Sequence, residues 1–197
     1  MSTLLIAGSP SERSRSAALL DAVGQRLGAR GALVERLHIR DLNPQALLLA
    51  DAAHRSVARA ADLVARARVV VVSTPVYKAA YSGVLKVFLD LLPQAALKDK
   101  TVLPLATGGS PHHMLALDYA LRPVLQSLGA RHVLPGIYAT DAQVALLPEG
   151  AYHLDAEVTG RIGEAVQLLA AETLRHTPAA PRPRFAPVHF SQVRCSV

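Results

Sequence analysis

The stretch TLLIAGSPSERSRS, from Thr3 to Ser16, decides the fold of this chain. Its apolar run from Leu4 to Ala7 ends abruptly at Gly8, which is typical of a strand buried on both faces of a sheet. A hydroxyl-rich loop follows, and the apolar spacing then predicts a helix from Ala17 to Arg30. A buried strand, a polar loop and a helix together predict the first unit of a parallel sheet.

The loop after this strand has the composition of an anion site. Its serine hydroxyls and the unpaired amides of the helix's first turn can donate hydrogen bonds, and the helix dipole favours negative charge there. Arg13 and Arg15 add guanidinium groups, which can hold a phosphate through two parallel bonds. Neither GxxxxGK(S/T) nor GxGxxG is present, so a single terminal monophosphate such as that of FMN is the better match. A capped helix beside an exposed loop is the alternative interpretation.

Composition indicates one folded domain and excludes several functional classes. Hydrophobic residues make up 51% of the 197 residues and charged residues 18%, which excludes disorder for most of the chain. No apolar run approaches the ~18 residues of a membrane span, and no signal peptide is recognisable, so a cytoplasmic protein is expected. The predicted domain covers residues 1–176, and a proline- and arginine-rich tail covers residues 177–197.

Metal binding and nucleic-acid binding are both disfavoured. The single cysteine, Cys195, has no partner for a C-x-x-C site, and the eight histidines include no H-E-x-x-H or similar spacing. The net charge is +6, but half of it comes from three tail arginines, and only 4% of residues are aromatic. Nucleic-acid surfaces usually cluster basic residues on one face or interleave them with aromatic rings.

Further along the chain, strands and helices alternate. Strands are expected at residues 32–39, at 69–73 with an end at Thr74-Pro75, at 101–106 and at 132–140. Helices are expected within 51–67 and at 82–92, 114–128 and 155–175. This alternation predicts a doubly wound five-stranded parallel sheet in the order 2-1-3-4-5 with helices on both faces.

Ligands of such sheets bind beyond the carboxyl ends of the strands, near the point where the strand order reverses. Three unusual loops, Gly8–Ser16, Thr74–Ser82 and Thr107–His113, are predicted to meet there. The second offers the flat ring of Tyr77, and the third offers backbone amides that two glycines leave accessible. We interpret their convergence as an FMN site. The alternatives are that Tyr77 or Tyr81 covers the core and that the glycine loop is an ordinary turn.

These three loops make the chain resemble the NAD(P)H-dependent FMN reductases of the flavodoxin-like superfamily, and in particular the reductase partner of two-component alkanesulfonate monooxygenases. The matching segments are GSP at residues 8–10 with SRS at 14–16, TPVYKAAYSG at 74–83, LPLATGG at 103–109 and DYAL at 118–121. The resemblance assigns the phosphate to Ser9, Ser14, Arg15 and Ser16, and the flavin ring to Pro75, Val76, Tyr77, Lys78, Thr107, Gly108, Gly109 and Ser110.

The resemblance also implies an activity. FMN would be a dissociable substrate, reduced by hydride from NADPH or NADH and passed to a monooxygenase that releases sulfite from organosulfonates. Hydride transfer requires proximity and stacking more than acid or base catalysis, so no catalytic acid or base is nominated, nor any metal ligand. His112 and His113 are expected to face solvent. Members of the family often carry an arginine two residues after Ser9, where this chain has Ser11, and Arg13 is a candidate replacement.

One helix carries an irregularity. Pro123 lacks an amide hydrogen, so the carbonyl of Tyr119 loses its helical partner. In the similar reductases a tyrosine here opens a π-bulge at a tetramer interface. Tyr119 is therefore predicted to form a π-bulge, to support a homotetramer (or a dimer) and to help flavin leave. A proline-kinked helix with Tyr119 in the core is the alternative.

Two other functional classes fit the same scaffold. A flavodoxin-like electron carrier would hold FMN tightly, although such carriers are typically acidic. A quinone, azo or metal reductase would keep its flavin bound and reduce another acceptor.

Overall fold

A computed structural model describes residues 2–175, and a parallel sheet lies at its centre. The strands are β1 (Ser2–Ala7), β2 (Leu33–His38), β3 (Val69–Tyr77), β4 (Ala80–Tyr81), β5 (Thr101–Gly108), β6 (His132–Val133), β7 (Ile137–Thr140), β8 (Val144–Leu146) and β9 (Tyr152–Leu154). The α-helices are α1 (Arg15–Ala29), α2 (Pro44–Leu48), α3 (Arg55–Arg66), α4 (Gly83–Asp90), α5 (Arg122–Ser127) and α6 (Ala156–Arg175). Two 3₁₀ turns (Ile39–Asp41 and Pro111–His113) and a π-helix (Ala116–Leu121) complete the elements.

The parallel strands lie in the order β2-β1-β3-β5, and β6 and β7 both pair with β5. Counting β6 and β7 as one interrupted strand, this is the predicted order 2-1-3-4-5, so the flavodoxin-like fold is confirmed. Helices α2 to α5 cover one face, where Leu4 and Ile6 point, and α1 and α6 cover the other, where Leu5 points. The alternation along β1 divides the core because successive side chains of a strand face opposite ways.

The third strand is longer than the sequence predicts. β3 does not end at Thr74-Pro75; it continues to Tyr77 and turns back into β4 as a short antiparallel hairpin. The pairing of Pro75 with Thr107 on β5 lengthens that strand to Gly108 as well. The missing amide of Pro75 does not end the strand because the parallel pairing continues beside it and the hairpin supports the segment beyond it.

The fifth strand is interrupted, and it is followed by a hairpin that the sequence does not predict. Residues 134–136 break the expected strand into β6 and β7 at Pro135-Gly136. A β-carbon on Gly136 would lie 2.8 Å from a methyl carbon of Leu117 and 3.3 Å from the Pro104 carbonyl oxygen, so a larger residue here would have to displace the Leu117 side chain. The hairpin β8–β9 then packs Val144 into the same core as α1 and α6.

The expected helix over residues 114–128 has two parts. The π-helix Ala116–Leu121 runs directly into α5, with Pro123 in the first turn of α5. Tyr119 lies in the π-helix and is 79% exposed, which excludes the alternative that places it in the core. No helix among residues 2–175 is long and apolar enough to span a bilayer. The predicted tail at residues 177–197 lies outside the described residues.

Candidate functional site

The three unusual loops meet at the carboxyl edge of the sheet, as predicted, and line one cavity of about 240 Å³. Its lining residues are Ser9, Ser11, Arg13, Ser14, Arg15, Pro75, Val76, Tyr77, Thr107, Gly108, Gly109 and Asp141. Nine of these belong to the set nominated from the sequence, because β1, β3 and β5 are adjacent parallel strands and their ends share an edge. Among the described residues, no group of acids, histidines and cysteines could hold a metal ion.

The first loop is fixed to the strand and helix beside it. The Gly8 amide donates to the Ser73 carbonyl at 2.7 Å, and the buried Ser82 hydroxyl donates to the Gly8 carbonyl. A β-carbon at Gly8 would lie 3.0 Å from both the Leu85 side chain and the Ser73 carbonyl. Glycine therefore lets the loop leave β1 tightly against α4, and Ser82 also caps that helix through the Leu85 amide.

Serine hydroxyls form the polar wall of the cavity. Ser9 is buried and its oxygen accepts the Ser11 amide, which leaves the Ser9 proton free to donate. Ser14 caps α1 by accepting the Ala17 amide, and its oxygen lies 2.8 Å from that of Ser16. When Ser16 is the donor of this pair, the Ser14 proton is free for a ligand in the cavity.

Two arginines supply the positive charge of this wall. Arg13 is exposed, and no ion pair between described residues involves it. Arg15 is anchored through Nε, which donates to the Val144 carbonyl at 3.0 Å. Its Nη1 lies 3.6 Å from a carboxylate oxygen of Asp141. Hydroxyls, two guanidinium groups and the first turn of α1, whose amides have no acceptor within the helix, are a donor set that fits a monophosphate.

The second loop is the β3–β4 hairpin, and it presents an aromatic ring. Lys78 and Ala79 have φ of 49° and 64°, the left-handed conformation that a two-residue hairpin turn requires and that non-glycine residues rarely adopt. Tyr77 is 48% exposed and lines both the polar cavity and an adjoining apolar groove. Tyr81, not Tyr77, packs against the core. Of the two alternatives for these tyrosines, core covering therefore applies to Tyr81 alone.

The third loop is held by a tyrosine from the neighbouring strand. Tyr138 on β7 donates its hydroxyl proton to the Ser110 carbonyl at 2.5 Å. A β-carbon on Gly108 would lie 2.5 Å from this hydroxyl, so glycine lets Tyr138 reach across the end of β5. Burial, and secondarily the charge of Asp141, raises the pKa of Tyr138 above its ordinary value, which keeps the hydroxyl a donor. The loop is thus anchored rather than an ordinary flexible turn.

Three residues nominated from the sequence do not line the cavity. Ser16 is almost fully buried and reaches the site only through Ser14. Lys78 is at the exposed tip of the hairpin. The Ser110 hydroxyl accepts a hydrogen bond from the His112 amide and so caps the 3₁₀ turn Pro111–His113. His112 is exposed, and neither it nor His113 lines the cavity.

Sequence reasoning missed Asp141, and it did not include Ser11 or Arg13 in the nominated set. Asp141 follows Thr140, the last residue of β7, and its amide donates to the Gly108 carbonyl. The rule that ligands lie beyond the carboxyl ends of parallel strands could have found it, since the fifth strand also ends at this edge.

Comparison with known proteins gives a consistent result. A family model described as NADPH-dependent FMN reductase matches residues 1–145. The FMN reductase (NADPH) of Pseudomonas putida is 52% identical to this chain over 145 residues, which are 74% of each chain. The FMN reductase (NADPH) of Escherichia coli is 44% identical over 144 residues, which are 73% of this chain and 75% of the relative. The crystal structure of the NADH:FMN oxidoreductase EMOB in its apo form superposes with a TM-score of 0.79 at 41% identity, covering 87% of this chain and 89% of that one.

Proposed function

The chain belongs to the NADPH-dependent FMN reductase family, and from that premise we propose that it supplies reduced FMN to a two-component, alkanesulfonate-type monooxygenase. The reductase activity itself, with NADPH or NADH as the donor and FMN as the acceptor, follows from the family. The delivery of the product, its use in sulfur acquisition, the residues that bind FMN and the expected cytoplasmic location are parts of the proposal.

The observation that supports FMN binding in this cavity is the division of its lining into a polar wall and an apolar rim. Ser9, Ser14, Arg13 and Arg15 would hold the phosphate through hydroxyl and guanidinium donors. Pro75, Val76 and Tyr77 offer a flatter, less polar surface for the ring, and Thr107 to Gly109 would approach it with backbone groups. The three nominated residues that do not line the cavity have indirect roles in this proposal. Ser16 would position the Ser14 hydroxyl. Lys78 forms the turn of the hairpin, and Ser110 anchors the third loop through its carbonyl.

The chemistry requires little acid or base catalysis from this chain. FMN, when bound, accepts a hydride equivalent from the nicotinamide. The protein's part is to hold the phosphate end, to present an open apolar surface beside Tyr77 and to supply amide dipoles from the third loop.

The oligomeric state belongs to the same proposal. Met114, Leu115 and Tyr119 are each more than half exposed and lie in or just before the π-helix. Three large apolar side chains on one short segment are the kind of surface that subunit interfaces cover. We therefore propose a homotetramer in which this segment contacts a second copy, with a dimer as the simpler alternative.

The first experiment follows NADPH oxidation by the purified protein with and without free FMN. Saturation by micromolar FMN is the expected result. A yellow protein whose NADPH oxidation ignores added FMN would instead indicate a bound flavin and another acceptor, and no oxidation in either case would favour an electron carrier. Ser14→Ala should raise the KM for FMN by about 10-fold or more, because a hydrogen bond to a charged group contributes roughly 1.5–3 kcal/mol.

The matched control is Ser127→Ala, an exposed serine that hydrogen-bonds only within α5. Delivery is tested by combining the reductase, NADPH and FMN with an alkanesulfonate monooxygenase and measuring sulfite. Sulfite release that stops when the reductase is omitted supports the proposal. If the reductase reduces FMN but releases no more sulfite than a mixture lacking it, delivery to this class of monooxygenase is wrong while the reductase activity stands.

A further inference from the structure

Asp141 is an acid in a cavity whose other charged groups are basic. It lines the same space as Ser9, Ser14 and Arg13. Its Oδ2 lies 3.6 Å from Nη1 of Arg15. A carboxylate accepts the same guanidinium donors that a phosphate accepts, so the two anions compete for Arg15.

The backbone holds Asp141 at this place. Its amide donates to the Gly108 carbonyl at 3.1 Å, which extends the pairing of β7 with β5 by one residue. Arg15 is held from its other side, since its Nε donates to the Val144 carbonyl. Both partners of the ion pair are therefore held in place by backbone hydrogen bonds. Both side chains also remain accessible to solvent, with an exposed fraction of 47% for Asp141 and 38% for Arg15.

From this geometry we infer that Asp141 lowers the affinity of the cavity for phosphorylated flavins by occupying Arg15 and opposing the phosphate charge. The inference rests on the proposed binding of the FMN phosphate at Arg13, Ser14 and Arg15. The Asp141 carboxylate therefore partly neutralises the Arg15 guanidinium before any ligand arrives. A reductase that must release its product gains from such a site because weaker binding shortens the time that the flavin stays bound.

The test is the affinity of Asp141→Asn for two flavins, measured by flavin fluorescence without NADPH. Asparagine has the same shape but no charge, so the Kd for FMN should fall about 3- to 30-fold, the effect expected of one half-exposed charge near a phosphate. Riboflavin carries the same ring without the phosphate, and its Kd should change less than ~2-fold. The salt dependence of FMN binding should also become steeper, because the cavity gains net positive charge.

Two further variants serve as controls. Asp141→Glu retains the charge and should keep the FMN affinity within ~2-fold of the parent, and so below the gain in Asp141→Asn. Asp21→Asn removes a carboxylate of similar exposure, 43%, that pairs with Arg36 on the outer surface, and should change neither affinity. Thermal unfolding of each variant shows whether it is folded, and a misfolded Asp141→Asn is distinguished because riboflavin binding would fall with it.

Three results would overturn the inference. An unchanged or weaker FMN affinity in Asp141→Asn would show that the carboxylate does not oppose the phosphate. An equal gain for FMN and riboflavin would place its effect on the ring or the loop. An equal gain in Asp141→Glu would remove charge as the cause. If the parent protein binds FMN no better than riboflavin and Ser14→Ala changes nothing, the proposed phosphate site itself is wrong.

Discussion

Gly108 and Tyr138 make the most demanding test of how the third loop is built. A β-carbon on Gly108 would lie 2.5 Å from the Tyr138 hydroxyl and 3.4 Å from the Val76 β-carbon. Gly108→Ala therefore forces the phenol away from the Ser110 carbonyl, which it now reaches at 2.5 Å. The ring cannot simply swing aside, because Tyr138 is only 6% exposed and packs in the core.

The expected cost has two parts. Inserting one carbon into a packed site costs about 1–3 kcal/mol, and losing the hydrogen bond costs about 0.5–1.5 kcal/mol. Gly108→Ala should therefore lower the free energy of unfolding by about 2–4 kcal/mol. For a chain of this length, 1 kcal/mol corresponds to roughly 2–4 °C in Tm, so a decrease of about 4–16 °C is expected.

Tyr138→Phe separates the two parts. Alone it loses the hydrogen bond and should cost about 1 kcal/mol. In Gly108→Ala/Tyr138→Phe the atom that clashes is gone, so the double variant should be more stable than Gly108→Ala or equal to it, with a coupling energy of at least about 1 kcal/mol. Urea unfolding of the four proteins measures this cycle. Strict additivity of the two single costs would refute the reasoning, because it would mean that the new methyl group never meets the hydroxyl.

Three other predictions concern Ser82, Tyr138 and Tyr119. Ser82→Ala removes a helix cap and leaves the Gly8 carbonyl without its buried donor, so it should cost about 2–4 kcal/mol in urea unfolding, against less than ~0.5 kcal/mol for the exposed Ser127→Ala. Burial raises the pKa of Tyr138 in the folded state above its ordinary value of 10.0, so the unfolded chain loses this proton first and stability falls as the pH rises above about 10. The stability difference between the parent and Tyr138→Phe, measured by urea unfolding, should therefore be constant below about pH 9 and shift against the parent above about pH 10. Deleting Tyr119 should leave flavin bound through purification, seen as visible absorbance, whereas a colourless, fully active deletion variant would contradict its proposed role in flavin release.

Much of the fold could be predicted because its signals are local. The apolar runs of β1 and β3 identify buried strands, and glycine, proline and serine mark where the strands and helices end. Ser82 illustrates this well, since its place before an apolar helix predicts the cap that the structure has. Strand ends were less predictable, because Pro75 normally stops a strand and here the β3–β4 hairpin carries the backbone past it.

The sequence by itself determined the sheet order and the edge at which three loops meet, because parallel strands with helical crossovers bring their carboxyl ends together. Only the tertiary structure decided which side chains turn into the cavity. Ser14 faces it while Ser16 lies behind, a difference set by how α1 packs on β3. Arg15 pairs with Asp141 and donates to the Val144 carbonyl, although both partners are more than 120 residues away in the sequence. Such contacts depend on the packing of α1 against the last strands, and no local sequence pattern predicts them.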